Sequence, residues 1–256
     1  MRFLFVLWAL VVFCPLALAG GVASSVDDGA LALAMVQSSP TVRAAQQALA
    51  AAVADLPADL RDKTQAAMLT AGGCIAYRAG ADATVRQQVV SDLIRQGFAR
   101  DEKALYRSLY GYPVTVGTDC TRRTAAALAA PGGDDTGHHV WPGGLMVHTA
   151  FNLAVARDLV RRYREASGEP AALDAPALTA AVLWHDWAKQ LEYVWADGHV
   201  QSYETALAGT GAHHIIALAE AMASGLPARV IAAQACAHGV PETVGPQGVA
   251  DWLRAA

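Results

Sequence analysis

Cysteine, charge and aromatic side chains are all scarce in this chain. Four cysteines in 256 residues do not make a disulfide framework of the kind that staples small secreted domains. Charged residues are 16% of the chain, the formal net charge is −4, and there is no basic run. Strong binding to long nucleic acid, which depends on many cationic contacts to phosphate, is therefore not expected. Aromatics are 7%, and Val and Ile are modest beside abundant Ala, a mixture that favours helices over sheets. What the chain has in quantity is apolar residues, at 54%. That is enough to bury a substantial core and argues against disorder.

The chain divides by pattern into four parts. Residues 1–19 read as a secretory signal. Arg2 supplies the positive start, Phe3 to Phe13 is an unbroken apolar run, Pro15 breaks it, and Ala17-Leu18-Ala19 is a small-x-small cleavage site. The mature protein is therefore expected outside the cytoplasm, in the periplasm, with no span left to cross a bilayer. Residues 20–40 are small and weakly patterned and read as a mobile lead-in. Residues 41–130 read as a helical N-terminal region. Its helices end at Pro57, at Gly72-Gly73 and at Gly111 and Pro113, and Asp82 is placed to cap the third. Cys74 and Cys120 lie here near glycines and are the expected pair if one bridge forms, while Cys236 sits in an apolar helical run as a free thiol. The break at 130–137, Ala-Pro-Gly-Gly-Asp-Asp-Thr-Gly, opens the fourth part, residues 131–256.

In that fourth part the spacing predicts helices near 144–166, 175–190, 211–223, 227–238 and 247–254, with a hairpin from Leu191 to Tyr203 turning at Asp197-Gly198. The fold class is thus mainly α, a helical bundle with one short β-hairpin, preceded by a smaller helical region.

All eight histidines follow residue 137: His138, His139, His148, His185, His199, His213, His214 and His238. His148 has Val155 and Leu159 on its helix face. His185 and Asp186 stand side by side at the end of an apolar helix, with Lys189 four residues beyond His185. His214 has Leu218 and Met222 behind it, His238 shares a face with Ile231 and Gln234, and Asp251 is a carboxylate in an apolar segment. A lone histidine on an apolar face is usually a satisfied core residue. Several on successive helices would each need a private buried partner, whereas one or two shared metal ions satisfy all of them. Between His213 and His214, about 100° apart on a helix, the apolar run that follows favours His214, and the choice stays open. His199 reads as a surface residue of the hairpin, and Asp134 and Asp135 as loop solvation.

The order His148, His185-Asp186, His214, His238, Asp251 resembles the HD-domain superfamily of metal-dependent phosphohydrolases. Within it, His138-His139-Val140-Trp141-Pro142-Gly143-Gly144-Leu145-Met146-Val147-His148-Thr149 is similar to the His-His-x-x-x-Gly-Gly-Leu-x-x-His-Thr signature of the HD domain in YhaM-type 3′–5′ exoribonucleases. The resemblance covers residues 130–256. It implies that His148, His185, Asp186 and Asp251 are core metal ligands, that His214 and His238 hold a second ion, that Asp186 and Lys189 take part in catalysis with Lys189 on the substrate phosphate, and that His138 and His139 line the entrance and contact substrate. It also implies attack on phosphorus by a metal-activated water. Those ribonucleases carry an oligonucleotide-binding barrel where residues 41–130 here read as helical, so the partner expected is a small, nucleotide-like phosphomonoester or phosphodiester. The imidazole and carboxylate donors, with no thiolate, suit one or two divalent ions of Mn, Fe, Ni or Zn. The alternative is an exported HD fold that binds metal or ligand without turnover. Nothing in the sequence sets an oligomeric state.

Overall fold

The computed structural model describes residues 28–68, 75, 77, 81–111, 128–167 and 173–256. The signal segment and the Cys74–Cys120 pair lie outside the described residues. The fold is mainly helical, with two small two-stranded antiparallel sheets. Among the described residues no helix is long and apolar enough to cross a membrane.

Chain order begins with α1 (Asp28–Ser38), α2 (Pro40–Ala54), α3 (Ala58–Met68), α4 (Ala83–Arg95) and α5 (Glu102–Tyr110). Their starts are chemically marked. Ser39, Asp82 and Asp101 accept the backbone N–H of Val42, Val85 and Ala104, which removes orphan donors from the first turns of α2, α4 and α5. α2 buries Val42, Ala45, Leu49, Ala52 and Val53 at helical spacing against the long α6 (Gly144–Ser167). α1 corrects the reading of residues 20–40 as mobile: from Asp28 that stretch is helical, and Ala32 and Val36 are in the core. Small residues with weak periodicity gave little signal, yet two apolar contacts suffice to seat the helix.

The second half continues with α7 (Ala175–Trp184), α8 (Lys189–Glu192), β1 (Tyr193–Ala196), β2 (His199–Ser202), β3 (Ala206–Leu207), β4 (Thr210–Gly211), α9 (Ala212–Ala223), α10 (Ala228–Ala235) and α11 (Pro241–Ala255). Asp174 caps α7 through the N–H of Ala177. β1 and β2 form the predicted hairpin, with Asp197 and Gly198 both at positive φ (54° and 79°) in the turn. α11 starts earlier than its apolar pattern suggests and kinks at Gly245 (φ 77°) before Pro246.

Two features of this half differ from expectation. The helix predicted over 175–190 stops at Trp184, and residues 185–188 turn before α8 resumes. The buried line of α6 runs through Leu145, Thr149, Leu153 and Val160, leaving Val155 (51% exposed) and Leu159 (66%) in solvent. His148 therefore sits at the margin of the α6 core face.

One hydrophobic cluster runs from Ala32 to Trp252, so the N-terminal helices and the histidine-bearing half share a core. Two tryptophans make the join. Trp184 and Trp187, 0% and 2% exposed, flank the His185-Asp186 turn. Their indole N–H groups donate to the Thr64 hydroxyl and the Ala67 carbonyl of α3, each at 3.1 Å. Truncating an aromatic buried to this degree costs about 3–5 kcal/mol. Part of the work of the N-terminal region is thus to hold that turn.

Candidate metal centre

The centre is organised on Asp186, whose side chain is 2% exposed. Because α7 ends one residue before His185, the turn lets His185 and Asp186 point into the same space, which adjacent positions inside a helix do poorly. Asp186 Oδ2 lies 2.9 Å from His148 Nε2, 3.3 Å from His185 Nε2 and 2.8 Å from Lys189 Nζ. Oδ1 lies 3.3 Å from His213 Nε2 and 3.2 Å from His238 Nε2. Four imidazoles from α6, the turn after α7, the first turn of α9 and the turn after α10 thus meet one carboxylate, two on each oxygen.

The protons of two of these rings are assigned by their other nitrogen. His185 Nδ1 faces the Val182 carbonyl at 2.7 Å, and His213 Nδ1 faces Glu204 Oε1. Carbonyl and carboxylate oxygens only accept, so both Nδ1 atoms carry the proton. In a neutral ring the Nε2 lone pair then points at a carboxylate oxygen, lone pair against lone pair, whereas in a protonated ring Nε2–H donates to it. Asp186 Oδ1 and His213 Nε2, both buried, make no regular hydrogen bond despite their proximity. Either a proton on Nε2 or a divalent cation between the groups resolves this conflict, and imidazole with its distal N–H held by an oxygen is the usual presentation of a metal-ligating histidine. The donor set fits a metal. Groups able to hold an ion form around His148, His185 and Asp186, around Asp186, His213 and His238, and around His138, His139 and His148.

Electrostatics follow the geometry. Burial alone would raise the Asp186 pKa, but His148, His185, His213 and His238 outweigh it and hold the carboxyl well below the usual carboxylate range. Burial pulls His213 down, while Asp186 and Glu204 push it up to about 9. Glu204 stays ionised at lower pH than usual because His213 offsets its burial, and burial with Glu204 beside it pushes the Tyr193 phenol up. His238 is lowered by burial.

At the mouth, His138 is exposed and His139 half-buried. His139 has a left-handed backbone (φ 61°), and its carbonyl accepts from Gly132 N–H at 2.8 Å. A Cβ on Gly144 would lie 1.8 Å from that same oxygen, so the second glycine of the Gly143-Gly144 pair is what lets the loop close on α6. The closure stacks the His138 ring on His148 at 4.9 Å. Burial, then His148, His138 and Lys189, lower the His139 pKa.

Two residues named from sequence stand apart from these groups. Asp251 accepts from Gln247 at 2.7 Å and Arg254 at 2.8 Å on its own helix and joins none of the ion-holding groups. The one-turn spacing of those partners satisfies it on the surface of α11. His214 is fully buried, 4.5 Å ring to ring from His238 and 4.8 Å from Trp252, and lies behind the centre. Its pKa falls to about 3, from burial first and then from His238 and His213. The apolar run after His214 marks the core side of α9. His213 is the member of the doublet whose Nε2 reaches Asp186, at 3.3 Å. His213 was visible as the other half of the doublet. Asn152, whose Nδ2 lies 3.0 Å from His148 Nε2 and 3.3 Å from His185 Nε2, and Glu204 carry no local signal at all. Lys189 is close to the centre, engaged with Asp186.

Comparison with known proteins returns no match of this chain to a protein-family model, a curated protein or a solved structure.

Proposed function

We propose that this protein is a metal-dependent phosphohydrolase of the HD-domain type, acting on a small phosphomonoester or phosphodiester. One observation carries the reading: a single buried carboxylate offers each of its oxygens to a separate pair of imidazole Nε2 atoms. Such sharing supports a metal site that Asp186 would hold together with His148 and His185 on one side and His213 and His238 on the other. A bound divalent cation polarises a phosphoryl oxygen and makes water acidic at neutral pH. The chain's own residues supply the rest. Asp186 remains ionised and would serve both pairs of imidazoles. Lys189 neutralises part of its charge at 2.8 Å. His138 and His139 offer ring nitrogens at the mouth, where a substrate's non-reacting oxygens would pass. With residues 1–19 read as an export signal, the reaction would run in the periplasm.

A second reading, a metal- or ligand-binding protein without turnover, is favoured by Lys189 itself. Its ammonium is spent on Asp186, which leaves phosphate recognition to the mouth residues. Metal analysis of protein purified without chelator, followed by assay of p-nitrophenyl phosphate and its bis ester after Mn(II) reconstitution, separates the two. The phosphohydrolase reading expects stoichiometric transition metal, and both metal and activity lost in Asp186→Ala. Metal without activity establishes the second reading, and trace metal without activity sinks both.

A further inference from the structure

Glu204 lies nine residues before His213, on no predicted motif, yet three donors meet its carboxylate. Its Oε1 accepts the Nδ1–H of the His213 ring and, at 3.2 Å, the backbone N–H of the same residue. Its Oε2 accepts the phenol O–H of Tyr193 from β1. The second hairpin makes this meeting. β3 and β4 pair Ala206 with Gly211 and Leu207 with Thr210, which folds the chain back so that Glu204 returns to the start of α9. The turn is pinned by Ala208, whose N–H donates to the Phe98 carbonyl at 2.7 Å and whose carbonyl accepts from the Trp252 indole at 3.0 Å.

Gly211 supplies an independent sign that the approach is built. Its φ of −68° and ψ of 141° suit any residue, so backbone freedom does not call for glycine there. A Cβ at Gly211 would lie 2.4 Å from Glu204 Oε1 and 2.9 Å from His213 Nδ1, in the middle of the contact. Only a residue without a side chain lets carboxylate and imidazole meet.

Resting on the metal reading above, we infer that Glu204 is a positioning residue for the His213 side of the centre: it fixes the Nδ1–H tautomer and the ring plane of His213, so that the Nε2 lone pair faces the ion position beside Asp186 Oδ1. Tyr193 orients Glu204 in turn. The His185 side is served by the neutral Val182 carbonyl instead. An anionic acceptor makes the ring a stronger donor to a cation than a carbonyl does. The two positions therefore differ in affinity through their outer partners.

The test uses Mn(II) alone as probe, titrated into the full chain without other metals. Glu204→Ala is expected to weaken Mn(II) binding about 10–100-fold, with Glu204→Gln between it and wild type, because an amide oxygen still accepts the proton but carries no charge. Since Glu204 acts through His213, the double variant Glu204→Ala/His213→Ala binds no more weakly than His213→Ala alone. A downfield ring N–H proton signal, present in wild type, disappears in Glu204→Ala. If Glu204→Ala does not fold, Gly211→Ala decides: it displaces the carboxylate without straining the backbone and weakens Mn(II) in the same direction. Wild-type affinity in the folded Glu204 variant, wild-type affinity in Gly211→Ala, or additive losses in the double variant overturn the inference and leave the metal reading standing. A wild-type chain that binds no Mn(II) overturns the metal reading and this inference with it.

Discussion

The two sides of Asp186 present the same chemistry and are built in different ways. On the Oδ2 side, His148 and His185 come from α6 and from the turn after α7, elements that pack directly on each other and on α2 and α3. His185 is oriented by a carbonyl of its own helix. On the Oδ1 side, His213 depends on a hairpin of two-residue strands, a carboxylate nine residues away and a glycine with no other purpose there. The first side is secured by local sequence and core packing. The second is secured by polar contacts between segments that only the tertiary fold brings together, so single substitutions should loosen it more selectively.

The largest effect is expected where the sides meet. Asp186→Ala removes the carboxylate common to both and should abolish Mn(II) binding on either side, read by titration. The comparison sharpens with one ligand from each side: His148→Ala and His213→Ala should each leave the opposite pair, giving residual binding of reduced stoichiometry. Equal and total loss in both would show a single ion position.

The adjacent histidines of α9 should titrate the fold in opposite senses. In the metal-free protein His214 is held neutral, with a pKa of about 3 against 6.5 for an ordinary histidine. The unfolded chain binds the extra proton between these values, so the stability from this residue is complete above pH 6.5 and is lost as pH falls toward 3. For His213 the folded value is about 9. Its contribution is complete below pH 6.5 and is lost as pH rises through 9. Thermal unfolding of metal-free protein against pH checks both: His214→Leu should flatten the acid limb and His213→Leu the alkaline limb.

The smallest effect is a designed null. Asp251→Asn removes a half-exposed carboxylate engaged with Gln247 and Arg254. Exposed pairs of this kind contribute about 0–1 kcal/mol. Mn(II) binding should be unchanged and the melting temperature nearly so. Loss of metal in this variant would return Asp251 to the centre.

How much was legible divides along the same line. Helix periodicity, the cap at Asp82 and the Asp197-Gly198 turn are local and mark helices and a hairpin that the fold contains, although the helix predicted over 175–190 stops at Trp184. His148, His185, Asp186 and His238 converge because each ends or edges an apolar helix, a position that sequence spacing reports. His214, favoured by the apolar run after it, is fully buried against His238 and Trp252, outside the groups able to hold an ion. Asp251, an acid in an apolar stretch, is engaged with Gln247 and Arg254 of its own helix. Glu204, Tyr193 and Asn152 could not be read, because their relation to the histidines exists only across the hairpin and between helices.

The sequence by itself determined that the chain is helical, that its histidines crowd one half, and that a His-Asp pair ends an apolar helix, since each follows from spacing and composition along the chain. Only the tertiary structure decided which member of the His213-His214 doublet reaches Asp186, which outer partners aim the rings, and that the N-terminal helices clamp the His-Asp turn through Trp184 and Trp187. Those are questions of direction across the core, and direction is set by packing, which local pattern does not encode.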